Sequence, residues 1–226
     1  MANYNFKRVT LFAGHYGSGK TNIAVNFALK MQNDGKNVKI ADLDIVNPYF
    51  RTTDSAKELT QAGIELISPE FANTNLDLPA LPAQIYSLVQ QKDFYAVMDI
   101  GGDDRGAYAL GRYRDSILEE NNYEMVFVAN FYRPLTRTAD EAIEVMREIE
   151  AASGIPFTAI INNSNIGEDT TAQTVLDTFD KANELSRKTN LPIIFTSATA
   201  NVVKNIKADN LLQLNLQEKY FDIKEI

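Results

Sequence analysis

Short runs of β-branched and aromatic residues alternate along this chain with longer stretches in which apolar residues recur every three to four positions. The short runs predict buried strands, and the longer periodic stretches predict amphipathic helices. The predicted strands are Arg8 to Ala13, Val38 to Asp42, Ile64 to Ile67, Ala96 to Ile100, Glu124 to Asn130, Phe157 to Asn162 and Ile193 to Ser197. The predicted helices are Lys20 to Asp34, Thr53 to Gln61, Leu81 to Gln91, Arg105 to Glu119, Thr138 to Ser153, Thr171 to Lys188 and Ala200 to Ile206. Because such alternation is typical of βαβ units, we predict a three-layer αβα fold with a twisted, mostly parallel sheet.

Breaks in the pattern fall where connections between these elements are needed. Asp34-Gly35, Ala62-Gly63 and Ser153-Gly154 each follow a predicted helix, as helix-terminating glycines do. The sequence has no linker, repeat or low-complexity segment, so we predict a single domain over residues 1–226. The tail from Asn210 to Ile226 mixes leucines with charges of both signs, and we interpret it as a packed extension rather than a membrane-binding helix.

Composition limits the functions that the chain can have. With 226 residues, 45% of them hydrophobic, the chain is long enough for one well-buried α/β core. The net charge of -8 disfavours binding to nucleic acid or to an anionic membrane surface. The absence of cysteine excludes disulfides, thiolate metal sites and iron–sulfur ligation by the chain's own residues. No signal-like segment or membrane-length apolar run is found, so we expect a cytoplasmic location.

The most informative motif follows the first predicted strand and opens the first predicted helix. It fits G-x-x-x-x-G-K-[ST] at every fixed position and is called the phosphate loop below: Gly14, His15, Tyr16, Gly17, Ser18, Gly19, Lys20 and Thr21. In this motif backbone N–H groups surround phosphates, and the dipole of the following helix favours their negative charge. Lys20 is expected to reach the β- and γ-phosphates, and the Thr21 hydroxyl to ligate Mg²⁺. The sequence therefore predicts that the chain binds a nucleoside triphosphate.

Two carboxylates lie at the end of the second predicted strand, spaced so that their side chains point the same way. We expect Asp44 to orient or activate the attacking water and Asp42 to help hold the metal shell. The alternative is that one of them only caps the turn before Asn47-Pro48.

The fourth predicted strand ends in an acid followed by two glycines. Asp99 is the expected contact to Mg²⁺ through a water, in the manner of a Walker B strand. Gly101 and Gly102 allow the backbone to move when a γ-phosphate arrives or leaves. A strand ending in Asp-x-Gly is also ordinary turn chemistry, and the phosphate loop is what favours the functional interpretation.

These segments together resemble the MinD/ParA-like branch of P-loop NTPases, within the SIMIBI class. The branch also contains the nitrogenase iron protein and dethiobiotin synthetases. The chain is most similar to bacterial members known as ATP-binding or cobyrinic-acid-synthase-like proteins, with which it shares the segment from Asp42 to Arg51. The resemblance covers about residues 8 to 200 and implies a mostly parallel sheet, Mg-ATP as cofactor and, in many members, a nucleotide-dependent homodimer.

One departure from that branch concerns the cation that acts on the phosphates. The branch has a second lysine directly after the first glycine of the loop, where this chain has His15. His15, if protonated, and Arg51 are the candidate replacements, although His15 is equally interpreted as a loop residue that packs. Arg105, Arg133 and Arg137 are predicted at the same edge of the sheet, where some of them could hold a small anionic substrate or a protein partner.

The choice of base is predicted from the segment that follows the sixth strand. GTPases of the wider class read guanine with Asn-Lys-x-Asp, whereas this chain has Asn162-Asn163-Ser164-Asn165. The resemblance implies that Asn162 matches the asparagine that family ATPases place against adenine. A carboxamide can both donate to and accept from the edge of that base. Asparagine is also a favoured turn residue after a strand.

Four functions remain compatible with these residues. The first is an ATPase switch that is read by a partner or by a second subunit. The second is an ATP-dependent ligase or phosphotransferase that acts on a small carboxylate. The third is an accessory ATPase for maturation of a metal centre, whose metal would sit in the partner because this chain has no cysteine. The fourth is a nucleotide-binding scaffold that does not hydrolyse its ligand.

Overall fold

The structure is a computed structural model that describes residues 4–44, 52–68, 84–102 and 104–216, with the backbone alone at residues 53, 54, 104 and 105. Its strands are β1 (Val9–Ala13), β2 (Val38–Leu43), β3 (Glu65–Ile67), β4 (Tyr95–Ile100), β5 (Tyr123–Ala129), β6 (Ala159–Asn162), β7 (Ile193–Thr199) and β8 (Leu211–Leu214). Its helices are α1 (Lys20–Asn33), α2 (Ala56–Gln61), α3 (Gln84–Gln90), α4 (Asp104–Gly111), α5 (Arg114–Glu120), α6 (Ala139–Ser153), α7 (Ala172–Leu176), α8 (Phe179–Thr189) and α9 (Ala200–Val203). Two short 3₁₀ helices cover Thr52–Ser55 and Gly167–Asp169.

The described strands form one sheet in the order β3-β2-β4-β1-β5-β6-β7-β8. Every strand pair in it is parallel, which confirms the predicted fold class. Because β1 lies between β4 and β5, the loops that follow these three strands meet at the carboxyl edge of the sheet. In open α/β sheets this edge is where ligands bind.

Both faces of the sheet are covered by helices. On one face α1 and α2 pack against the sheet through side chains such as Ile23, Phe27 and Leu59. On the other face α3, α4, α5, α6 and α8 cover a larger core that includes Leu110, Ile149 and Leu185. The alternation of side chains along each strand assigns its residues to one face or the other. The same alternation determines which polar residues at the strand ends face the phosphate loop.

The C-terminal tail contains a strand that the sequence pattern did not predict. Leu212 and Leu214 of β8 are buried on the α1 face of the sheet. The side chain of Asn26 on α1 fastens the residue after the strand, donating to the Asn215 carbonyl at 2.9 Å and accepting from its N–H at 2.8 Å. The part of the tail that the structure describes, up to residue 216, therefore packs as expected, but it does so by extending the parallel sheet.

Two predicted helices are each broken into two. The Arg105 to Glu119 prediction becomes α4 and α5, because Tyr113 between them is buried and packs edge-on against Tyr86, with ring centroids 4.7 Å apart. The Thr171 to Lys188 prediction becomes α7 and α8. There the buried Thr178 hydroxyl donates to the Val175 carbonyl at 2.7 Å. The same hydroxyl accepts from the Asn162 amide at 3.0 Å. A buried side chain with a distant partner thus lies at each break, and helical periodicity does not report such partners.

Within the described residues, no helix is both long enough and apolar enough to cross a membrane.

Candidate functional site

The phosphate loop joins β1 to α1 at the centre of the carboxyl edge. Gly17 and Gly19 have φ angles of +73° and +86°, in the left-handed region that glycine adopts without strain. The N–H of Ser18 donates to the His15 carbonyl at 3.0 Å, which closes the loop on itself. Helix α1 begins directly after Gly19, so its first N–H groups and its positive dipole end face the enclosed space. This arrangement can bind an anion of phosphate type.

Close contacts explain why the first and third glycines of the motif carry no side chain. A Cβ on Gly14 would lie 2.6 Å from the Val128 carbonyl oxygen of β5. A Cβ on Gly19 would lie 2.3 Å from the side-chain nitrogen of Asn163. Both distances are far below van der Waals contact, so the loop is packed tightly between the ends of β5 and β6.

The charged groups of the predicted site form a buried cluster next to this loop. Lys20 Nζ lies 3.5 Å from Asp44 Oδ2, and both side chains are almost fully buried. The charges of Lys20 and Asp44 and the hydroxyl of Thr21 are all close enough to the Asp99 carboxylate to affect its pKa. The structure thus brings together Lys20, Thr21, Asp44 and Asp99, which the sequence places in three separate segments.

Thr52 belongs to the same cluster, and the sequence analysis did not single it out. Its hydroxyl is fully buried and donates to Asp99 Oδ2 at 3.0 Å. The only sequence signal is its position one residue after Arg51, in a segment that the resemblance already marks. Hydroxyl groups of this kind are suitable ligands for Mg²⁺.

Burial raises the pKa of Asp99 to about 6, although the positive charge of Lys20 and the hydroxyls of Thr21 and Thr52 act in the opposite direction. The negative charge of Asp44 adds to the rise. Among the described residues, no group donates a hydrogen bond to Asp99 Oδ1. A buried carboxylate oxygen without a donor is suited to a cation or to a cation-bound water.

Asp42 occupies a different position from the other acids. It lies directly opposite Asp99 in the parallel pairing of β2 with β4. Its Oδ1 accepts the backbone N–H of Asp44 at 3.0 Å, so the carboxylate caps the turn after β2, as the alternative interpretation proposed. Within the described part of the chain, no three His, Asp or Glu side chains are placed to hold a metal alone. A bound Mg²⁺ therefore needs ligands such as the Thr21 hydroxyl, water and the oxygens of a phosphate.

The turn after β4 lies over the cluster. A Cβ on Gly102 would be 2.9 Å from the backbone nitrogen of Tyr16 and 3.0 Å from Lys20 Nζ. These two nitrogens belong to the groups that a phosphate loop offers to phosphate. Gly101 is also closely packed, against Gly106: a Cβ added to Gly106 would lie 2.7 Å from the Cα of Gly101. The turn thus covers the phosphate-binding groups in this structure.

The candidate replacement cations are placed unequally. The His15 ring nitrogen lies 3.0 Å from the carbonyl of Tyr16, within its own loop. Arg51 lies outside the described residues, and the side chain of Arg105 is likewise not described. Arg133, on the loop after β5, lies against the phosphate loop, where its Nε donates to the Gly17 carbonyl at 3.0 Å. Arg137 is exposed to solvent.

Asn162 is directed away from the phosphate loop. Strand alternation puts it on the α8 side of the sheet, where its amide donates to the Thr178 hydroxyl at 3.0 Å. Its carbonyl oxygen accepts from the hydroxyl and the N–H of Ser164, at 2.7 and 3.2 Å. The carboxamide is therefore engaged on both of its polar atoms. Its predicted contact with adenine stays a prediction.

The next residue makes the contact with the phosphate loop instead. The side-chain amide of Asn163 donates to the Ser18 carbonyl at 2.7 Å, and its oxygen accepts from the Ser197 hydroxyl at 2.7 Å. Asn163 thereby links the phosphate loop to the ends of β6 and β7. The sequence analysis named neither Asn163 nor Ser197 as a site residue. The signal that could have found Asn163 is the alternation of β6, which turns every second side chain toward α1.

An all-parallel sheet with this central strand order, a phosphate loop after β1 and an acid at the end of β4 define the P-loop NTPase fold. Solved structures with the same fold include the cell division protein FtsY of Thermotoga maritima, at a TM-score of 0.58 and 16% identity over 88% of this chain and 63% of that one. FtsY of Mycoplasma mycoides matches at a TM-score of 0.57 and 14% identity, over 89% of this chain and 64% of that one. The signal recognition particle receptor FtsY of Elizabethkingia anophelis, in complex with GDP, matches at 0.50 and 15% identity over 86% of this chain and 58% of that one.

This chain spans less than two thirds of the length of each of these neighbours. At such low identity the likeness establishes the fold. No family model matches the chain, and no curated protein matches it.

Proposed function

We propose that this chain is a Mg-ATP-dependent molecular switch of the MinD/ParA-like branch and hydrolyses ATP slowly. The observation that carries the proposal is the buried cluster under the turn after β4. In it the phosphate-binding lysine, Lys20, is held by Asp44 and covered by Gly102. A triphosphate can bind only if it takes over Lys20 and displaces the turn. Binding is thereby coupled to a backbone movement, which is what a switch requires.

Each residue of the cluster has a role in this proposal. Lys20 holds the β- and γ-phosphates, and Thr21 binds Mg²⁺, with Asp99 beside it through a water. Asp44, released from Lys20, orients the attacking water. Asp42 supports the turn that positions Asp44, because it accepts the N–H of that residue. Mg²⁺ supplies charge neutralisation at the phosphates when it is bound.

The loop after β6 favours adenine over guanine. A guanine site needs an acceptor for the N–H groups of the base, which GTPases supply with an aspartate three residues after the asparagine. Counted from Asn163, that position is Ile166, whose side chain is 47% exposed. An isoleucine offers no acceptor but can pack against a purine ring. We therefore propose Ile166 as the base-site residue and ATP as the nucleotide, with Asn163 holding this loop against the phosphate loop through its bond to the Ser18 carbonyl.

A second copy of the chain is the proposed reader of the switch. Large apolar side chains are exposed on three segments that follow strands at the carboxyl edge: Tyr16 (56%) on the phosphate loop, Tyr108 (66%) on α4 and Leu135 (60%) on the loop after β5. Exposed apolar groups that gather around a site are typical of an interaction surface. Binding of ATP would move the turn next to Tyr16 and so change this surface.

The test is phosphate release from the purified protein with Mg-ATP and Mg-GTP, with size-exclusion chromatography in each nucleotide state. We expect slow turnover of ATP, and a shift to dimer when ATP is bound. Lys20→Ala should abolish ATP binding, whereas Lys30→Ala should not. Lys30 is the matched control, because it lies on the same helix in an exposed pair with Asp34 at 2.8 Å. Unchanged ATP affinity in Lys20→Ala would refute the assignment of the phosphate loop.

A further inference from the structure

A tightly bonded loop connects β5 to α6 and is called the arginine loop here, residues 130–137. Its base is Asn130, which is fully buried. The Asn130 side-chain oxygen accepts the N–H groups of Tyr132 and Asn165, at 3.1 and 3.3 Å. The Thr136 hydroxyl donates to the Asn130 carbonyl at 2.8 Å. These bonds fix the two ends of the loop to each other and to the loop that follows β6.

The same loop contains an unfavourable backbone conformation. Leu135 has a φ of +65°, in the left-handed region that a leucine rarely adopts. Its side chain is exposed, so burial of the leucine does not compensate for the strain. Strain of this kind persists where the surrounding bonds over-determine the backbone, and it is concentrated at functional sites. The bonded and strained loop fixes the position of Arg133, which lies in its middle.

Arg133 is placed on the outer side of the phosphate loop. Its Nε donates to the Gly17 carbonyl at 3.0 Å. Asn163 donates to the next carbonyl, that of Ser18, at 2.7 Å. The N–H groups of a phosphate loop point inward to the phosphates, so groups bound to its carbonyls lie outside that cradle. Arg133 and Asn163 therefore bind adjacent carbonyls outside the phosphate cradle. The loop that contains Arg133 is bonded through Asn130 to the loop after β6, where the base site is proposed.

We infer that Arg133 forms one wall of the nucleoside site, with its guanidinium plane against the purine ring. This inference rests on the proposed function, which supplies the nucleotide. The bond from Nε to Gly17 fixes the orientation of the guanidinium, and the half-buried side chain leaves part of the group accessible. A guanidinium is flat and weakly hydrated, and it stacks on aromatic rings. The neighbouring Tyr132 is held by a different contact, because its hydroxyl donates to the Thr174 carbonyl of α7 at 2.8 Å.

The test compares binding of ATP, ADP and inorganic tripolyphosphate by titration calorimetry in the presence of Mg²⁺. Arg133→Gln should weaken ATP and ADP about tenfold, the effect of one cation–π contact, and leave tripolyphosphate unchanged. Arg133→Lys keeps the charge and a donor for the Gly17 carbonyl but has no flat face to stack on the ring, so it should recover only part of the nucleotide affinity. Arg137→Gln, in the same loop but exposed, is the control and should bind all three ligands as the wild type does.

Other outcomes would overturn the inference. An equal loss of tripolyphosphate affinity in Arg133→Gln would make the residue a brace or a phosphate ligand. Full recovery of nucleotide affinity in Arg133→Lys would show that charge alone matters. Unchanged nucleotide binding in both variants would remove Arg133 from the site. If the wild type binds tripolyphosphate but no nucleotide, or binds neither, the proposed function fails first and this inference fails with it.

Discussion

Lys20 Nζ lies 3.5 Å from Asp44 Oδ2, and both side chains are almost fully buried. One is the lysine that a triphosphate needs, and the other is the acid proposed to orient water. Their pairing means that the site neutralises its own lysine until a ligand with more negative charge replaces the aspartate.

Asp44→Asn should separate binding from turnover. The amide cannot pair with Lys20 as a carboxylate does, so ATP affinity should be unchanged or higher. Turnover should fall by roughly 10² or more, since the group that orients water is lost. Phosphate release and calorimetry measure the two effects. The control is Asp34→Asn, which alters the exposed pair with Lys30 at 2.8 Å and should change neither affinity nor turnover. Wild-type turnover in Asp44→Asn would contradict the assigned role.

Gly102→Ala should weaken the closed position of the turn after β4. Its Cβ would lie within about 3 Å of the Tyr16 nitrogen and of Lys20 Nζ. We expect the ligand-free protein to lose ~1–3 kcal/mol of stability, as other overpacked sites do. We also expect a fluorescent ATP analogue to associate several times faster in stopped flow.

A matched control for this substitution is available nearby. Gly111→Ala adds the same methyl group at the end of α4, where the closest atoms are backbone oxygens at an ordinary 3.6 Å. It should leave association unchanged. If Gly102→Ala also associates at the wild-type rate, the turn does not limit access to the phosphate loop.

The buried carboxyl of Asp99 should make stability depend on pH. Its pKa is raised from 3.8 to about 6 in the folded protein, mainly by burial. A raised pKa in an acid favours the protonated folded form, so this contribution is complete below pH 3.8 and is lost as pH rises through about 6. Asp99→Asn cannot titrate there. Its stability relative to wild type should therefore increase between pH 4 and pH 6, by roughly 1.4 kcal/mol per unit of pKa shift.

Urea unfolding of the ligand-free wild type and of the Asp99→Asn variant, at intervals across this range, measures the difference. Burial also raises the pKa of other acids, such as Glu124. These acids are present in both proteins, so their contributions cancel in the difference. A difference in stability that stays constant with pH would show that folding does not raise the pKa of Asp99.

Two adjacent asparagines provide a test of the base site. Asn163→Ala removes the bonds to Ser18 and Ser197, and it should weaken ATP binding by tenfold or more. Asn162→Ala removes the bonds to Thr178 and Ser164 on the other face of the sheet. Each should cost ~1–3 kcal/mol of stability, because each leaves buried partners unsatisfied. Calorimetry on the folded variants should show the larger loss of affinity for Asn163, and the reverse order would restore Asn162 as the base contact.

Much of this architecture could be read from local patterns. The first seven strands lie within one or two residues of their predicted bounds. Each is a short apolar run, and this signal can be recognised from the local sequence alone. The phosphate loop was evident for a similar reason. Its glycines are required by the local backbone, because Gly17 and Gly19 have positive φ angles.

The missed features depend on contacts between distant segments. β8 needs the edge of β7 and the side chain of Asn26 before its short run of leucines becomes a strand. The break before α8 depends on Thr178, a residue that meets Asn162 only after folding. Thr52 and Asn163 were overlooked because their partners, Asp99 and Ser18, are far away in sequence.

The sequence by itself determined the α/β layering, the phosphate loop and the set of acids that could serve it, because those features follow from periodicity and from residue chemistry within short segments. Only the tertiary structure decided that Asp44 holds Lys20, that Gly102 lies against Lys20, and that Asn163 and Arg133 bind the outer carbonyls of the loop. The reason is that burial and hydrogen bonding depend on which strands are neighbours and which way each side chain faces, and these are settled when the parallel sheet assembles.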